Sequence, residues 1–169
     1  MDLLMAGEET ERLKFRKLLP SDFDLWLPFH QDPRSTQYWA GLPKDPLTAC
    51  QQLFDSIFYR YKNNLGGMNA LISKQNGKLI GQCGLLIQKV DDNKELEIGY
   101  SILPQFWQKG YASEAAKKCK VFAQKNQLGK SVISIIQIDN LPSQKVALHI
   151  GMSLDKTTVF KDNQVHIFR

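Results

Sequence analysis

The segment from Glu97 to Ser113, EIGYSILPQFWQKGYAS, has the pattern of an anion-binding turn. A strand-like run leads into a short loop that contains Gly110 and Ala112, and a helical pattern begins directly after the loop. The first amides of a helix have no partner within the helix and lie at the positive end of its dipole, so such a loop binds phosphate oxygens. Two small side chains let an anion approach the backbone, and Lys109 adds a positive charge. A plain strand-to-helix turn has the same local pattern and remains the alternative.

The charge of the chain is concentrated in its last third. Residues 104–169 hold 10 Lys and Arg against 4 Asp and Glu, a net charge of +6, whereas residues 1–103 have a net charge of −1. A basic segment predicts an anionic partner, such as a phosphate-bearing cofactor, nucleic acid or a membrane surface, and a solvated lysine-rich face is the alternative. The helix predicted after the loop has a single aromatic residue, Phe122, on its apolar side. We therefore predict no nucleic-acid binding.

Length and composition predict one ordinary globular domain. The chain has 169 residues, of which 43% are hydrophobic and 23% charged. We place the domain at residues 10–169, after an N-terminal extension at 1–9. Because no apolar run approaches the ~20 residues of a membrane span and no secretory pattern is present, we expect a cytoplasmic protein without membrane contact. The three cysteines lack CxxC spacing and the three histidines lack metal-ligand spacing, so we expect a reducing compartment and no metal.

Apolar periodicity predicts alternating strands and helices. The expected strands are 12–18, 68–73, 79–90, 96–103, 132–138, 156–161 and 165–169, and the expected helices follow Pro20, Pro46, Gly110 and Asn140. The first helix should bend or end at Pro28, and the second should bury Leu47 on its apolar face. The third helix should run to about residue 128, with Gly129 as its C-cap. The almost wholly apolar run 132–138 predicts a central parallel strand that is buried on both faces.

This order of elements predicts an α/β fold. Its central sheet should be mixed and mostly antiparallel, with helices on both faces. The one parallel crossover should join the strand 96–103 to the strand 132–138. Ligands in open α/β sheets bind where neighbouring parallel strands separate at their C-terminal ends, which is where the loop after residue 103 begins.

The motifs taken together resemble the GNAT superfamily of N-acetyltransferases. The family signature at this strand–loop–helix junction is Gln/Arg-x-x-Gly-x-Gly/Ala, and the chain has Trp107-Gln108-Lys109-Gly110-Tyr111-Ala112. The form W-x-x-G-Y-A is similar to the ribosomal-protein N-terminal acetyltransferase (RimJ/RimL-like) branch, which usually has glycine at the position of Gln108. The pattern Asn140-x-x-Ser143 resembles the Asn-x-x-Ser segment of that branch, although Leu148 replaces its usual glutamate. The likeness covers about residues 10–169.

This resemblance implies a binding site for acetyl-CoA or CoA. The diphosphate would lie on the backbone amides of the loop: Gln108, Lys109, Gly110, Tyr111, Ala112 and Ser113. The 3′-phosphate would meet Lys117 on the following helix. Pantetheine would lie in the gap beside the strand 96–103, bonded to the backbone near Ile102 and Leu103, and Asn140 would cap the next helix and touch pantetheine.

The resemblance also implies the reaction, which is transfer of the acetyl group to a primary amine by direct attack in a ternary complex. Glu97, on the strand face opposite Tyr100, is the candidate general base. Ser143 is the candidate partner of the departing thiolate, and a backbone N–H of the same strand would stabilise the oxyanion. Tyr38 and Trp39 fall in the segment that lines the acceptor cleft in such enzymes, so they are the candidate substrate contacts.

Three questions stay open at the level of sequence. The acceptor could be a protein N-terminal amine, an aminoglycoside, a polyamine or another small amine. The protein could act as a monomer or a homodimer. A CoA-binding sensor or interaction domain without turnover is the alternative function, because Gln108 and Leu148 depart from the family pattern.

Overall fold

The computed structural model describes residues 2–169 and contains seven strands and five α-helices. The strands are β1 (Leu13–Lys17), β2 (Gly66–Ser73), β3 (Leu79–Val90), β4 (Asn93–Ile102), β5 (Ser134–Gln137), β6 (Leu154–Phe160) and β7 (Asn163–Phe168). The helices are α1 (Phe23–Gln31), α2 (Pro33–Thr36), α3 (Pro46–Lys62), α4 (Tyr111–Lys125) and α5 (Leu141–His149). Short 3₁₀ turns at Pro20–Asp22 and Pro104–Phe106 precede α1 and the loop before α4.

The sheet has two antiparallel halves that meet at one short parallel contact. The first half has the order β1-β2-β3-β4, and the second has the order β5-β7-β6. The Ile98 N–H donates to the Ile133 carbonyl at 2.7 Å, and the Ile133 N–H donates to the Leu96 carbonyl at 2.9 Å. Beyond this bridge β4 and β5 separate. The mixed, mostly antiparallel sheet with one parallel crossover is confirmed, and the separation leaves a gap beside the end of β4.

Helices cover both faces of the sheet, as expected. One core lies between the sheet and α4, where the small side chains of Ala115, Ala116 and Cys119 let the helix approach the strands closely. The other core lies under α1 and α3 and contains Trp26 and Phe54, each at most 1% exposed. Burying one such aromatic side chain contributes about 1.5–3 kcal/mol. The core with α4 includes residues of β3 and β4, and the core under α1 and α3 includes residues of β2 and β3.

Helix α1 does not end at Pro28, and Leu47 does not lie on the apolar face of α3, each for a local reason. Helix α1 continues through Pro28 to Gln31. Proline removes the hydrogen bond to the Asp24 carbonyl, but Asp24 and Pro28 both lie on the exposed side of the helix, where water can serve that carbonyl. Leu47, in the first turn of α3, is 55% exposed and does not join the apolar face.

The end of α4 and the environment of β5 also differ from expectation. Helix α4 ends at Lys125, and Gln127 rather than Gly129 takes the left-handed conformation after it, with φ +52°. The Leu128 N–H then donates to the Ala123 carbonyl at 3.0 Å, which closes the helix end. Strand β5 has only one fully buried face, because Ile135 on its other face is half-buried beside a cavity.

The predicted extension at 1–9 packs on the domain over its described residues. Leu3 and Met5 are buried, and the Met5 N–H donates to Asn69 Oδ1 at 3.2 Å. Separately, none of the helices between residues 2 and 169 combines the length and the apolar character that crossing a membrane requires.

Candidate active site

The loop before α4 presents a row of free backbone amides. Gly110 caps the helix with φ +79°, and Gln108 adopts φ +59°. The first amide engaged by the helix is that of Glu114, which donates to the Gly110 carbonyl at 3.1 Å. Within residues 2–169, the N–H groups of residues 108–113 have no hydrogen-bond acceptor. This arrangement can bind the oxygens of a phosphate or diphosphate.

Arg12, the residue directly before β1, holds this loop in place. Its Nη1 donates to the Lys109 carbonyl at 2.9 Å, its Nε pairs with Glu114 Oε2 at 2.6 Å, and its guanidinium lies 4.2 Å from the Tyr111 ring centre. Burial raises the pKa of Glu114, but hydrogen bonds from Thr10 and Arg12 outweigh burial and hold that pKa below its usual range. The loop is therefore fixed before any ligand binds. Sequence reasoning missed this support, because 102 residues separate the two partners.

A groove beside the loop carries the positive charge expected for a phosphorylated cofactor. This basic groove has a volume of about 490 Å³ and lies between α4 and α5. Its lining includes Gly110, Ser113 and the predicted Lys117, together with Lys145 and His149, which sequence reasoning had not assigned to binding. The two lysines are exposed, so both ammonium groups can meet a phosphate.

The end of β4 offers fewer free backbone groups than expected. The Leu103 N–H donates to the Ile80 carbonyl at 3.0 Å, and its carbonyl accepts from Phe106 at 2.9 Å, so neither Leu103 group is available. The Ile102 carbonyl accepts from the Trp107 indole Nε1 at 2.7 Å. Of the two predicted pantetheine contacts, only the Ile102 N–H is left to bind a ligand. The 3₁₀ turn at Pro104–Phe106 causes this difference, because it folds the chain back onto Leu103.

The alternating direction of backbone groups along β4 identifies further free groups at Tyr100. Backbone groups of successive residues in a strand point to opposite neighbours. Ile98 bonds to Ile133 on the β5 side, whereas Leu103 bonds to Ile80 on the β3 side. Tyr100 therefore directs its N–H and carbonyl to the gap between β4 and β5, as Ile102 does.

A second cavity of about 340 Å³ begins at this gap and extends under α1. We call it the central cavity. It brings together five residues that sequence reasoning had assigned to catalysis or binding: Glu97, Ser143, Asn140, Tyr38 and Trp39. They come from β4, α5 and its cap, and the segment between α2 and α3. Their common cavity is a finding of the structure.

Glu97 is the acidic group of the central cavity. Its Oε2 accepts from Gln88 Nε2 at 2.7 Å, and Gln88 Oε1 in turn accepts from Arg60 at 3.0 Å. Burial raises the pKa of Glu97, and the Gln88 hydrogen bond and the charges of Lys161 and Arg60 oppose that rise only in part. A carboxyl group with a raised pKa is suited to accept a proton near neutral pH.

Ser143 and Asn140 are positioned by the start of α5. Asn140 Oδ1 accepts from the Ser143 N–H at 3.2 Å, so the predicted cap is confirmed. The Tyr100 hydroxyl donates to the Ser143 carbonyl at 2.8 Å, and burial raises the Tyr100 pKa. Tyr100 thus packs against the core on the α4 side of the sheet, contributes to the cavity lining and links β4 to α5.

The segment between α2 and α3 forms another part of the cavity wall. Trp39 packs against Phe29 of α1, with ring centres 5.4 Å apart. The Tyr38 carbonyl accepts from Asn163 Nδ2 of the β6–β7 hairpin at 3.0 Å. These contacts bring Tyr38 and Trp39 to the cavity wall.

No group of His, Cys, Asp and Glu side chains within residues 2–169 has the arrangement of a metal site. The central cavity instead offers backbone donors, a carboxyl group and hydroxyl groups. Together with the free amides of residues 108–113, these groups suit acyl transfer from a phosphorylated carrier to a nucleophile.

Comparisons with known proteins agree with this geometry. Residues 12–153 match the acetyltransferase (GNAT) domain family. The chain is 32% identical over 153 residues to the uncharacterized protein YkkB of Bacillus subtilis (strain 168), which covers 88% of this chain and 86% of YkkB. The fold is similar to the acetyltransferase from Agrobacterium tumefaciens str. C58, with a TM-score of 0.81, 24% identity and coverage of 99% of this chain and 95% of that one.

A second solved structure has the same fold at lower identity. It is RimL, the ribosomal L7/L12 alpha-N-protein acetyltransferase, in complex with coenzyme A, with a TM-score of 0.70, 12% identity and coverage of 96% of this chain and 95% of that one. The family match includes residues 108–113, the basic groove and the part of the central cavity that precedes β6. The chain therefore belongs to the GNAT family of N-acetyltransferases.

Proposed function

We propose that this acetyltransferase moves the acetyl group of acetyl-CoA to a primary amine by direct attack in a ternary complex. The observation that carries the proposal is the row of free amides at residues 108–113, which follows β4 in the chain. Strand β4 also supplies Glu97, whose pKa is raised by burial, to the central cavity. RimL, which has the same fold, binds coenzyme A. The reaction requires groups that bind the cofactor phosphates and a group that accepts a proton. A fold alone does not supply these groups.

The cofactor would lie along the gap between β4 and β5. Its diphosphate would accept hydrogen bonds from the loop amides, and its 3′-phosphate would lie in the basic groove between Lys117 and Lys145. Pantetheine would bond to the Ile102 N–H and to the Tyr100 backbone in the manner of an added strand. The thioester would then reach the central cavity next to Tyr100.

The reaction needs one proton acceptor, one oxyanion donor and one partner for the sulfur. The amine nitrogen attacks the thioester carbonyl carbon, and its proton passes to Glu97 directly or through water. The Tyr100 N–H would stabilise the oxyanion of the tetrahedral intermediate. The C–S bond then breaks, and the Ser143 hydroxyl would stabilise the departing thiolate.

Turnover distinguishes this proposal from a CoA-binding sensor of the same fold. Both functions predict that acetyl-CoA quenches or shifts tryptophan fluorescence, since Trp107 lies beside the loop and is 36% exposed. Only the enzyme releases free thiol from acetyl-CoA when a panel of primary amines is added. Tight binding of acetyl-CoA with no amine-dependent thiol release would support the sensor instead.

Charge reversal in the basic groove tests where the 3′-phosphate lies. We expect Lys117→Glu/Lys145→Glu to weaken CoA binding about 10-fold at low salt, because two exposed cation–phosphate contacts become repulsive. Dephospho-CoA, which lacks the 3′-phosphate, should bind the variant and the parent protein alike. Isothermal titration calorimetry of both ligands measures the difference.

The matched control for this experiment is Lys125→Glu/Lys130→Glu, which makes the same charge change at exposed positions outside the groove. This control should bind both ligands as the parent does. Equal losses for CoA and dephospho-CoA in the groove variant would place the 3′-phosphate elsewhere.

A further inference from the structure

An exposed cation at the wall of the central cavity has no anionic partner in the protein. Lys161 lines the cavity and takes part in none of the ion pairs within residues 2–169. Its Nζ lies 5.2 Å from the centre of the Phe160 ring, which lines the same cavity. A contact with an aromatic face orients an ammonium group but uses none of its strong hydrogen-bond acceptors. The Lys161 ammonium therefore remains free to bind an anion.

The turn of the β6–β7 hairpin holds Lys161 in an unfavourable backbone conformation. Phe160 pairs with Asn163, so Lys161 and Asp162 form a two-residue turn, with φ +49° and +61°. Such turns favour asparagine, aspartate and glycine, because most other residues tolerate a positive φ poorly. Asp162 agrees with that preference and does not line the cavity, whereas Lys161 departs from it and does. Residues that persist in such conformations cluster at functional sites, which favours a role for the lysine side chain in binding.

The charges around the cavity make Lys161 the cation that a bound acceptor would meet. Of the charged residues that line the cavity within residues 2–169, Glu97 is the one acid and Lys161 the one base. Arg60 also acts on the Glu97 charge, but its guanidinium already donates to two backbone carbonyls and to Gln88. The Lys161 charge likewise opposes the rise of the Glu97 pKa, so the two charges lie close enough to interact. An acceptor whose amine reaches Glu97 therefore lies near a free ammonium group.

We propose that Lys161 selects primary amines that carry an anionic group, a carboxylate or a phosphate, near the amine. This inference rests on the proposed acetyl transfer and specifies its acceptor. The amine would give its proton to Glu97, and the anionic group would accept hydrogen bonds from the Lys161 ammonium. A second amine in place of the anion would instead bring like charges together. The proposed phosphate contacts of the cofactor lie at residues 108–113 and in the basic groove, and neither set includes Lys161.

Pairs of amines that differ only in the charge of one group test this selection. The pairs are β-alanine with β-alaninamide and 4-aminobutyrate with 4-aminobutanamide, and O-phosphoethanolamine with ethanolamine tests a phosphate. Rates of thiol release from acetyl-CoA are compared per concentration of neutral amine, so that differences in amine pKa do not enter. We expect kcat/KM for the charged member of at least one pair to exceed that of its partner by about 10-fold at low salt, the effect of one charge-assisted hydrogen bond. The ratio should fall as salt is added.

Removal of the ammonium group tests whether Lys161 is responsible for the preference. In Lys161→Asn the ratio of the charged to the uncharged amine should fall from about 10 to about 1, whereas Lys161→Arg should keep a preference because it keeps the charge. A merely structural role, or an effect on the Glu97 pKa, would change both rates alike and leave this ratio unchanged. Asparagine also suits a positive φ, so Tm of Lys161→Asn should stay within about 2 °C of the parent.

Lys130→Asn is the matched control. It makes the same side-chain change at an exposed position that lines neither the central cavity nor the basic groove, so it should alter neither the ratio nor the rates. The affinity for acetyl-CoA should equal that of the parent in both asparagine variants. A loss of acetyl-CoA affinity in Lys161→Asn alone would assign this lysine to the cofactor and overturn the inference.

The amine panel separates this inference from the proposed function. Thiol release at similar rates within every pair, or a preference that survives Lys161→Asn, overturns the inference and leaves acetyl transfer intact. Faster acetylation of 1,3-diaminopropane than of any anionic amine overturns it in favour of a polycationic acceptor. A larger ratio for the phosphate pair than for the carboxylate pairs supports it and identifies the anion as a phosphate, and the reverse identifies a carboxylate. No thiol release with any amine, despite acetyl-CoA binding, contradicts the proposed function itself.

Discussion

The substitution Glu97→Gln is expected to lower kcat/KM for amine acetylation by about 10²- to 10⁴-fold, the usual contribution of a positioned general base. Glutamine has nearly the same shape and can still pair with Gln88, but it cannot accept the proton of the attacking amine. Binding of acetyl-CoA should not change, since Glu97 lies in the central cavity and not in the loop of residues 108–113. Thiol-release kinetics and acetyl-CoA titration measure the two effects separately.

The pH profile gives a second, independent signature of the same residue. Burial raises the pKa of Glu97, so the active carboxylate is lost as pH falls through a range above the ordinary glutamate pKa of about 4.3. The amine itself must also be neutral, and an α-amine has a pKa of about 8. The logarithm of kcat/KM should therefore rise with a slope of two below the Glu97 pKa and with a slope of one between that pKa and the amine pKa. In Glu97→Gln only the amine limb should remain.

Glu95→Gln is the matched control on the same strand. Glu95 pairs with Arg169 at 2.8 Å and does not line the central cavity, so its replacement should affect stability more than rate. A Glu97→Gln enzyme with the parent's rate and the parent's two-limbed pH profile would show that the base is another group.

The parts of this site that follow from local patterns could be predicted from sequence. The loop of free amides at residues 108–113 needs only a strand end, Gly110 at a left-handed position and a helix start, and all of these are adjacent in the chain. The Asn140 cap of α5 is equally local, since its partner is the amide of Ser143. Any α-helix leaves its first amides without partners in the helix, whatever side chains pack around it. The free amides of the loop therefore follow from helix geometry.

The parts that depend on contacts between distant segments could not be predicted. Gln82 interrupts an apolar strand, but its place in the lining of the central cavity depends on segments that are distant in the chain, which include Trp26 and Trp39. Lys145 was visible as a basic residue, and its role depends on α5 lying beside α4. Leu103 was placed at the cofactor by its position after β4, whereas a 3₁₀ turn uses both of its backbone groups.

Gly99 shows how a local sequence pattern and contacts between distant segments combine. Glycine weakens a strand interior and often marks a place where a ligand or another backbone approaches closely. The residue lies in β4 between Ile98 and Tyr100 and lines the central cavity. A Cβ atom there would lie 3.1 Å from both Leu86 Cδ1 and Met68 Sδ, which are the flexible ends of side chains that also line the cavity. A larger residue at this position therefore requires only small shifts of these two side chains and, under the proposed function, would occupy space meant for the acceptor.

We expect Gly99→Val to lower kcat/KM for amine acetylation by about 10²-fold, because displacement of a reacting group by even 1 Å has an effect of that size. Acetyl-CoA should bind within about twofold of the parent affinity, since the loop and the basic groove are unchanged. Gly129→Val is the control, because Gly129 also lacks a left-handed conformation and its nearest neighbour would be the Ser131 carbonyl at 3.4 Å. If Gly99→Val acetylated amines at the parent rate while remaining folded, the acceptor would have to bind outside the central cavity, and Glu97 could not reach its amine.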